Sequence, residues 1–480
     1  MTTTTTPAAA VRPPAAGRRR WLVLGLLAAA QLMLVLDVTV VNVALPDISA
    51  ALHLDRAVIP WVMTAYTLVF GGLMLLGGRI ADIVGPRRVM LTGLAVFTVS
   101  SLVCATAGSA PALLAGRAAQ GLGAALFSPA ALALVTATFT GPARAKALGV
   151  WGTLGAAGTA FGVTLGGLVT SALGWEWIFA INLPIGVLLL VLLPFLVAAP
   201  ARRATSAALD VPGALLVTAG TAAVIYGLVN AGGSGWSAPG TLLPLGAGLV
   251  LWILFALVER ATAAPLLRVA LLTERPVAAG AFLMLVATAL MVGEFFLGSF
   301  VLQRAYGLSA VEVGLIFLPV GIAVGAGAHT AGRLLAKIST KVIAATGLAL
   351  AGAGQATAAF ATVPAVLVTG LAVAALGTGA VFVTAFTAAL ATADPATGGL
   401  RSALVNTFHE LGGAFGVAVL STVAGAALAA VHPAAGDFTA AFTVAAVLAG
   451  GAAVTALALV PAVVRAPAPG HHHAHGANHG

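Results

Sequence analysis

Long apolar runs separated by short polar connections repeat along this chain from Trp21 to Val463. The runs show neither the strict alternation of a half-buried strand nor the polar stripe of a surface helix. Each exceeds the ~17–25 residues that a helix needs to cross a bilayer. Fourteen are expected, at about 21–46, 58–79, 89–108, 112–138, 145–171, 178–198, 212–231, 241–259, 277–302, 310–332, 341–361, 365–391, 402–430 and 438–463. No connection is long enough to hold a soluble catalytic domain. The pattern predicts an all-α polytopic membrane protein, because lipid leaves a spanning helix no outside partner for its backbone.

Composition agrees with the pattern. The 480 residues are 60% hydrophobic and 7% charged, with mean hydropathy +1.10. A soluble chain carries roughly 25% charge. The pI near 11 does not point to nucleic acid, since the basic residues sit in the short connections. With the N-terminus in the cytoplasm, nineteen of the 22 Lys and Arg fall on the inner side. Arg56 and Arg304 fall outside, and Arg117 lies within a span. Such a split predicts an even number of spans with both termini cytoplasmic.

Several classes are excluded. The single Cys104 cannot form an intramolecular disulfide. The three lysines follow Ala145, Ala336 and Thr340, so no Gly-Lys-Ser/Thr phosphate cradle exists. Uphill movement would need an ion gradient or a separate subunit. Residues 1–20 read as a disordered basic tail ahead of an uncleaved first span, and 464–480 as a disordered tail. The histidines at 471, 472, 473, 475 and 479 raise metal export as an alternative, but the tract is interrupted and no metal or cofactor is expected.

Charge inside a span is the most informative exception to the pattern. Asp37 interrupts the first run at a cost of at least ~2.5 kcal/mol on insertion scales, which marks it for binding or proton relay. It lies about 24 Å up the first helix, and Arg117 about 8 Å below the outer surface on the fourth. In a core ~30 Å thick these depths match, so the two are expected to share a cavity, with Gln120 on the face of Arg117. The alternative is a structural ion pair. Glu294, beside Phe295 and Phe296 in the ninth run, can hold a proton at neutral pH or simply hydrogen-bond a neighbouring helix. His409-Glu410 in the thirteenth run can relay protons, or pair with each other or with Asn406. In the fifth run Gly155, Gly158, Gly162 and Gly166 fall within about 80° on one face, a stripe for close helix approach.

These residues together resemble the major facilitator superfamily, specifically its fourteen-span drug:proton antiporter branch (EmrB/QacA type), over residues 21–463. Leu36-Asp37-Val38-Thr39-Val40-Val41-Asn42-Val43-Ala44-Leu45-Pro46 is similar to the first-span signature of that branch. The segment from Gly78 to Arg88 resembles the gating loop, with Ile83 in place of its usual basic residue. Gly116-Arg117-Ala118-Ala119-Gln120-Gly121 resembles the helix-4 motif whose arginine is implicated in proton coupling. Gly158 to Gly167 resembles the helix-5 antiporter motif, with Val163 where its proline is expected. Trp175 to Gly186 looks like the outer entrance of helix 6.

The resemblance implies two six-helix bundles, 21–198 and 277–463, joined by a linker, 199–276, with two inserted helices. It implies a proton-coupled antiporter that exports amphipathic small molecules by alternating access, and not an enzyme. Proton coupling would rest on Asp37, Arg117 and Glu294, and the substrate cavity on Asp37, Asn42, Gln120, Glu294 and Phe295. Gating would rest on Gly78, Asp82, Gly85, Arg87 and Arg88, and helix-5 packing on Gly158, Gly162, Gly166 and Gly167. The expected partners are lipophilic cationic or neutral substrates, protons and lipid, for a monomer in a bacterial plasma membrane. The rivals are uptake or exchange on the same fold, and a non-transporting receptor or scaffold.

Overall fold

Prolines open many of the long helices. The computed structural model describes residues 17–139, 142–197, 209–262, 265–267, 269–392, 398–430 and 432–463. Both expected tails fall largely outside these residues, as does most of the expected linker before the inserted helices. The first half runs α1 (Gly17–Ala51), α2 (Ile59–Val84), α3 (Pro86–Ala105), α4 (Ala110–Thr138), α5 (Pro142–Leu173), α6 (Trp177–Ala180) and α7 (Asn182–Leu196). An insert follows with α8 (Val211–Ser234), α9 (Pro239–Ala261) and the short α10 (Val269–Thr273). The second half runs α11 (Arg275–Phe300), α12 (Ala310–Leu334), α13 (Thr340–Ala359), α14 (Pro364–Leu390), α15 (Gly398–Val423), α16 (Gly425–Ala429) and α17 (Thr439–Leu459). A proline occupies the first turn of α2, α3, α4, α8, α9, α11 and α14, where its missing N–H costs nothing.

Among the described residues thirteen helical segments are long and apolar enough to cross a membrane. The remaining expected span, the fifth, is α5, a 32-residue helix whose described apolar part is Phe161–Leu173. Several expected boundaries need correction. Residues 17–20, assigned to the tail, are the first turn of α1. Helix α1 also continues through Pro46 to Ala51, leaving the Asn42 carbonyl without its usual helical donor. Most of the expected gating loop is helical, because α2 runs on to Val84 and α3 starts at Pro86. Gly85 alone makes the turn, at φ 106°, a conformation that other residues rarely adopt. Val163 leaves α5 unbroken, and the expected thirteenth span is interrupted at Ala424, between α15 and α16.

Two bundles form, α1–α7 and α11–α17, and the α8–α9 hairpin lies against their flank. Helix α8 touches both bundles. Thr218 fills the space at Gly72 on α2, and Thr422 on α15 donates to the Leu228 carbonyl at 2.6 Å. The far side of α9 exposes Leu243, Leu249, Ile253 and Leu257, as suits a helix that faces lipid.

Glycine decides how closely α5 packs. Gly158, Gly162 and Gly166 face Val35, Thr39 and Val40 of α1, leaving no room for a side chain. Gly167 turns the other way, onto Ala310 and Gly314 of α12 in the opposite bundle. Backbones that approach this closely gain packing that lipid cannot offer.

The bundles meet most firmly at one end, the side of the α1–α2 connection. There Thr164 donates to the Gly314 carbonyl at 3.0 Å, and the Val311 N–H donates to Ser171 at 2.9 Å. Gln303 donates to the Val43 carbonyl at 2.7 Å, and Arg304 to Ser49 at 3.1 Å. The described hydrogen bonds between the bundles gather at this end. The molecule is therefore closed on the α1–α2 side. Replacing Gly167 with Val is expected to wedge this end apart. With Cys104 replaced by Ala, a cysteine placed at buried Val43 should then react with a water-soluble maleimide about tenfold faster, equivalent to ~1.4 kcal/mol. An unchanged labelling rate would show that this contact does not hold the end shut.

Candidate functional site

Five helices converge on Asp37. Arg117 and Gln120 lie three residues apart on α4, and Ser101 and Cys104 three apart on α3, so each pair shares a helix face. Val62 and Tyr66 do the same at a spacing of four on α2, and Asn182 is the first residue of α7. Asp37, Arg117, Gln120 and Asn182 are all 2% exposed or less.

The polar atoms of this group satisfy one another. Arg117 Nη1 donates to Asp37 Oδ2 at 2.5 Å and to Gln120 Oε1 at 2.9 Å. Arg117 Nε donates to the Val62 carbonyl at 2.9 Å. Asp37 Oδ1 accepts from Gln120 Nε2 at 3.1 Å and from Asn182 Nδ2 at 3.0 Å. Gln120 Nε2 also donates to Ser101 at 2.8 Å, and the Cys104 thiol lies 3.4 Å from Gln120 Oε1. The guanidinium stacks on Tyr66, 4.5 Å from the ring centroid, with Phe179 at 5.7 Å. A buried pair repays its desolvation only with such geometry and such further bonds. The Tyr66 hydroxyl is buried without a partner.

The second bundle has its own polar centre. Glu294 on α11 is fully buried, and its Oε2 accepts from Gln355 Nε2 of α13 at 2.8 Å. Phe295 meets Phe317 edge-on with centroids 5.1 Å apart, and Phe296 meets Phe300 at 5.2 Å. His409 bonds neither Glu410 nor Asn406, contrary to one expectation. Its Nδ1 lies 2.9 Å from the Thr288 hydroxyl, with the Phe382 ring at 5.6 Å, while Glu410 packs against Gly71 of the first bundle.

Asp37 and Arg117 meet, as their matched depth predicts, but the five residues expected to line one cavity are not brought together. Asp37, Asn42 and Gln120 are buried in the first bundle, and Glu294 and Phe295 in the second. Asn42 donates to the Val38 carbonyl of its own helix at 3.1 Å. Of the expected gate, Asp82 and Arg88 are exposed, Arg87 donates to the Pro194 carbonyl at 2.6 Å, and Gly78 faces Pro129. All of these contacts stay within the first bundle. Sequence reasoning missed Ser101, Tyr66, Asn182 and Gln355. Each is a polar residue in an apolar span, a signal that could have found Asn182 and Gln355.

The fold and its buried charges define a membrane transporter built from two helical bundles. Residues 27–417 match the Major Facilitator Superfamily, and the chain belongs to it. It is 38% identical over 421 residues to the puromycin resistance protein pur8 of Streptomyces alboniger, covering 85% of this chain and 83% of that protein. It is 36% identical over 414 residues to the cephamycin export protein CmcT of Amycolatopsis lactamdurans, covering 83% and 84%. In fold it resembles an inward-facing, unoccupied bacterial homolog of the human lysosomal transporter Spinster, with TM-score 0.62 and 14% identity, covering 93% and 98%. The protein is thus a multi-pass plasma-membrane transporter and not an enzyme.

Removing one member of a buried pair costs ~3–5 kcal/mol, because the other charge is left uncompensated. Arg117→Ala is expected to destabilise the purified protein by that order. Asp37→Asn should cost less, since an amide can still bond Gln120 and Asn182. The double variant should cost less than the sum of the singles, read by denaturant unfolding in detergent. Strict additivity would show that the two side chains are not coupled.

Proposed function

We propose that this protein is a proton-coupled antiporter that exports amphipathic small molecules, antibiotics among them, by alternating access. It would be a monomer of the fourteen-span branch with both termini in the cytoplasm. The observation that carries this reading is the buried Asp37–Arg117 pair within membrane-spanning helices. Intramembrane charges are costly and by default functional. The names of relatives that export cephamycin or confer puromycin resistance support the direction of transport and the substrate class.

Helix α1 offers a route for coupling. It carries Asp37, and six residues further on the Val43 carbonyl that accepts from Gln303 of the other bundle. Ser49 on the same helix accepts from Arg304. A proton on Asp37 cancels the charge that holds Arg117, so α1, α4 and α7 lose their tightest mutual bond. Of these three helices, α1 is the one whose bonds to the opposite bundle are described, so that loosening would reach the closed end through it. A proton entering there would favour opening, substrate release and return.

Asp37→Asn keeps shape and polarity but removes the titrating group. It is expected to abolish proton-driven efflux from inverted vesicles while leaving the protein inserted. A variant that keeps normal, pH-dependent efflux would remove Asp37 from the mechanism. Glu294 lies beside aromatic faces, where cation–π attraction of roughly 0.5–2 kcal/mol adds to charge pairing. Glu294→Gln is therefore expected to weaken export of cations far more than of neutral compounds. Equal loss for both would make Glu294 an obligatory proton carrier instead.

A further inference from the structure

Glu294 and Gln355 leave two buried acceptors without a donor. Gln355 Nε2 donates to Glu294 Oε2 at 2.8 Å, and both residues are fully buried. Glu294 Oε1 and Gln355 Oε1 are each buried with no donor. Reversing the amide does not help, because it only moves its oxygen onto the carboxylate. The elements packed on α11 carry Asp37, Asp47 and the N-terminal arginines Arg18, Arg19 and Arg20 on α1, Arg304 in the π-helical turn Val301–Ala305, Lys341 on α13, and Arg401, His409 and Glu410 on α15. Helices α14 and α17 carry no charge, and among the described residues no bond or ion pair joins any of these groups to Glu294. A buried acceptor without a donor forfeits its full desolvation cost. A proton on Glu294 Oε1 would supply the donor that Gln355 Oε1 lacks and give Oε1 itself a bond.

We infer that Glu294 and Gln355 form a doubly hydrogen-bonded acid–amide pair that trades its proton for the N–H of a protonated amine. This rests on the exporter reading above and names the substrate class for it. The exchange balances in atoms and charge. The O–H bond of Glu294 breaks, and its proton leaves to water. The incoming ammonium N–H then donates to Gln355 Oε1 and its charge faces the carboxylate, while Gln355 Nε2 keeps its bond to Oε2. On the other side of the membrane a proton returns to Oε1 and the amine departs intact. Gln355 is thus a positioning residue that serves as donor throughout and as acceptor for either partner. A quaternary ammonium has the charge but no N–H, so it leaves Gln355 Oε1 unsatisfied and is discriminated against.

The test uses the full-length protein in detergent and in proteoliposomes, with a lipophilic tertiary amine and its N-methylated quaternary analogue as probes. Infrared difference spectra should show a protonated-carboxyl C=O band in the wild type. Glu294→Gln should remove that band, Gln355→Met should shift it, and the tertiary amine should bleach it. The wild type should bind the tertiary amine about tenfold more tightly than the quaternary one, the scale of a hydrogen bond to a charged group. Gln355→Met should erase that preference by losing the amine, and Gln355→Asn should restore part of it. An identical band in the wild type and Glu294→Gln would overturn the pair. Equal loss of both probes in Gln355→Met would overturn the exchange. If the spectra and binding behave as expected but neither probe is exported, the exporter reading fails and the pair stands.

Discussion

A guanidinium and a carboxylate, held 2.5 Å apart where water cannot reach, set the terms for the first bundle. In a spanning region each charge alone costs at least ~2.5 kcal/mol to insert, so neither helix can place its residue without the other. The remaining lone pairs and N–H groups must also be answered, which fixes Gln120, Asn182, Ser101 and the Val62 carbonyl. Five helices are thereby registered against one another by a few polar atoms. Their apolar faces, which pack as well against lipid as against protein, could not do this.

Small residues supply the second constraint. Helix α1 can lie close to α5 because Gly158, Gly162 and Gly166 present bare backbone to it. One residue along, Gly167 brings α5 equally close to α12. Helix α5 is therefore a smooth rail with one side on its own bundle and the other on the opposite bundle. Helix α1 likewise carries both Asp37 of the charge pair and two acceptors for the opposite bundle, the Val43 carbonyl and Ser49. The described hydrogen bonds between the bundles are few and gather at one end, while α5 packs closely on α12 and α2 on α15. In the proposed alternating-access cycle, that arrangement would let one bundle tilt on the other without either losing its fold.

The helical architecture was legible because lipid removes every competing option for the backbone. Apolar length places the spans, and rise per residue puts Asp37 at the depth of Arg117. Three things were not legible. The extent of α2 was underestimated because charged Arg79 and Asp82 end an apolar run without ending a helix. The partner of Glu294 was missed because Gln355 lies 61 residues away in an Ala/Gly-rich span. Nothing in spacing says which helix faces that carboxylate. The shared cavity was misplaced for the same reason, since depth along a helix is readable but rotation about its axis is only weakly so. Asp37 points into its own bundle, toward α4 and α7, where depth alone left the space between the bundles equally open.

Magnitudes say why one charge pair would not suffice for the proposed cycle. Moving a two-state transporter from 1:99 to 99:1 takes ~5.5 kcal/mol. Disrupting a buried pair is worth ~3–5 kcal/mol, and some of that returns because Gln120 and Asn182 can still bond a protonated Asp37. The shortfall has two available sources. A charge crossing the membrane potential gains ~2.3 kcal/mol per 100 mV, and a second proton site in the other bundle adds its own contribution. Glu294 is placed to be that site, fully buried in α11, which also leads into the π-helical turn bearing Gln303 and Arg304. Each bundle thus has a titratable carboxyl on the helix that carries its half of the closing contacts. Coupling through both would make opening depend on both sites being neutral. A lone proton would then leave the closed end favoured, which limits leakage without substrate.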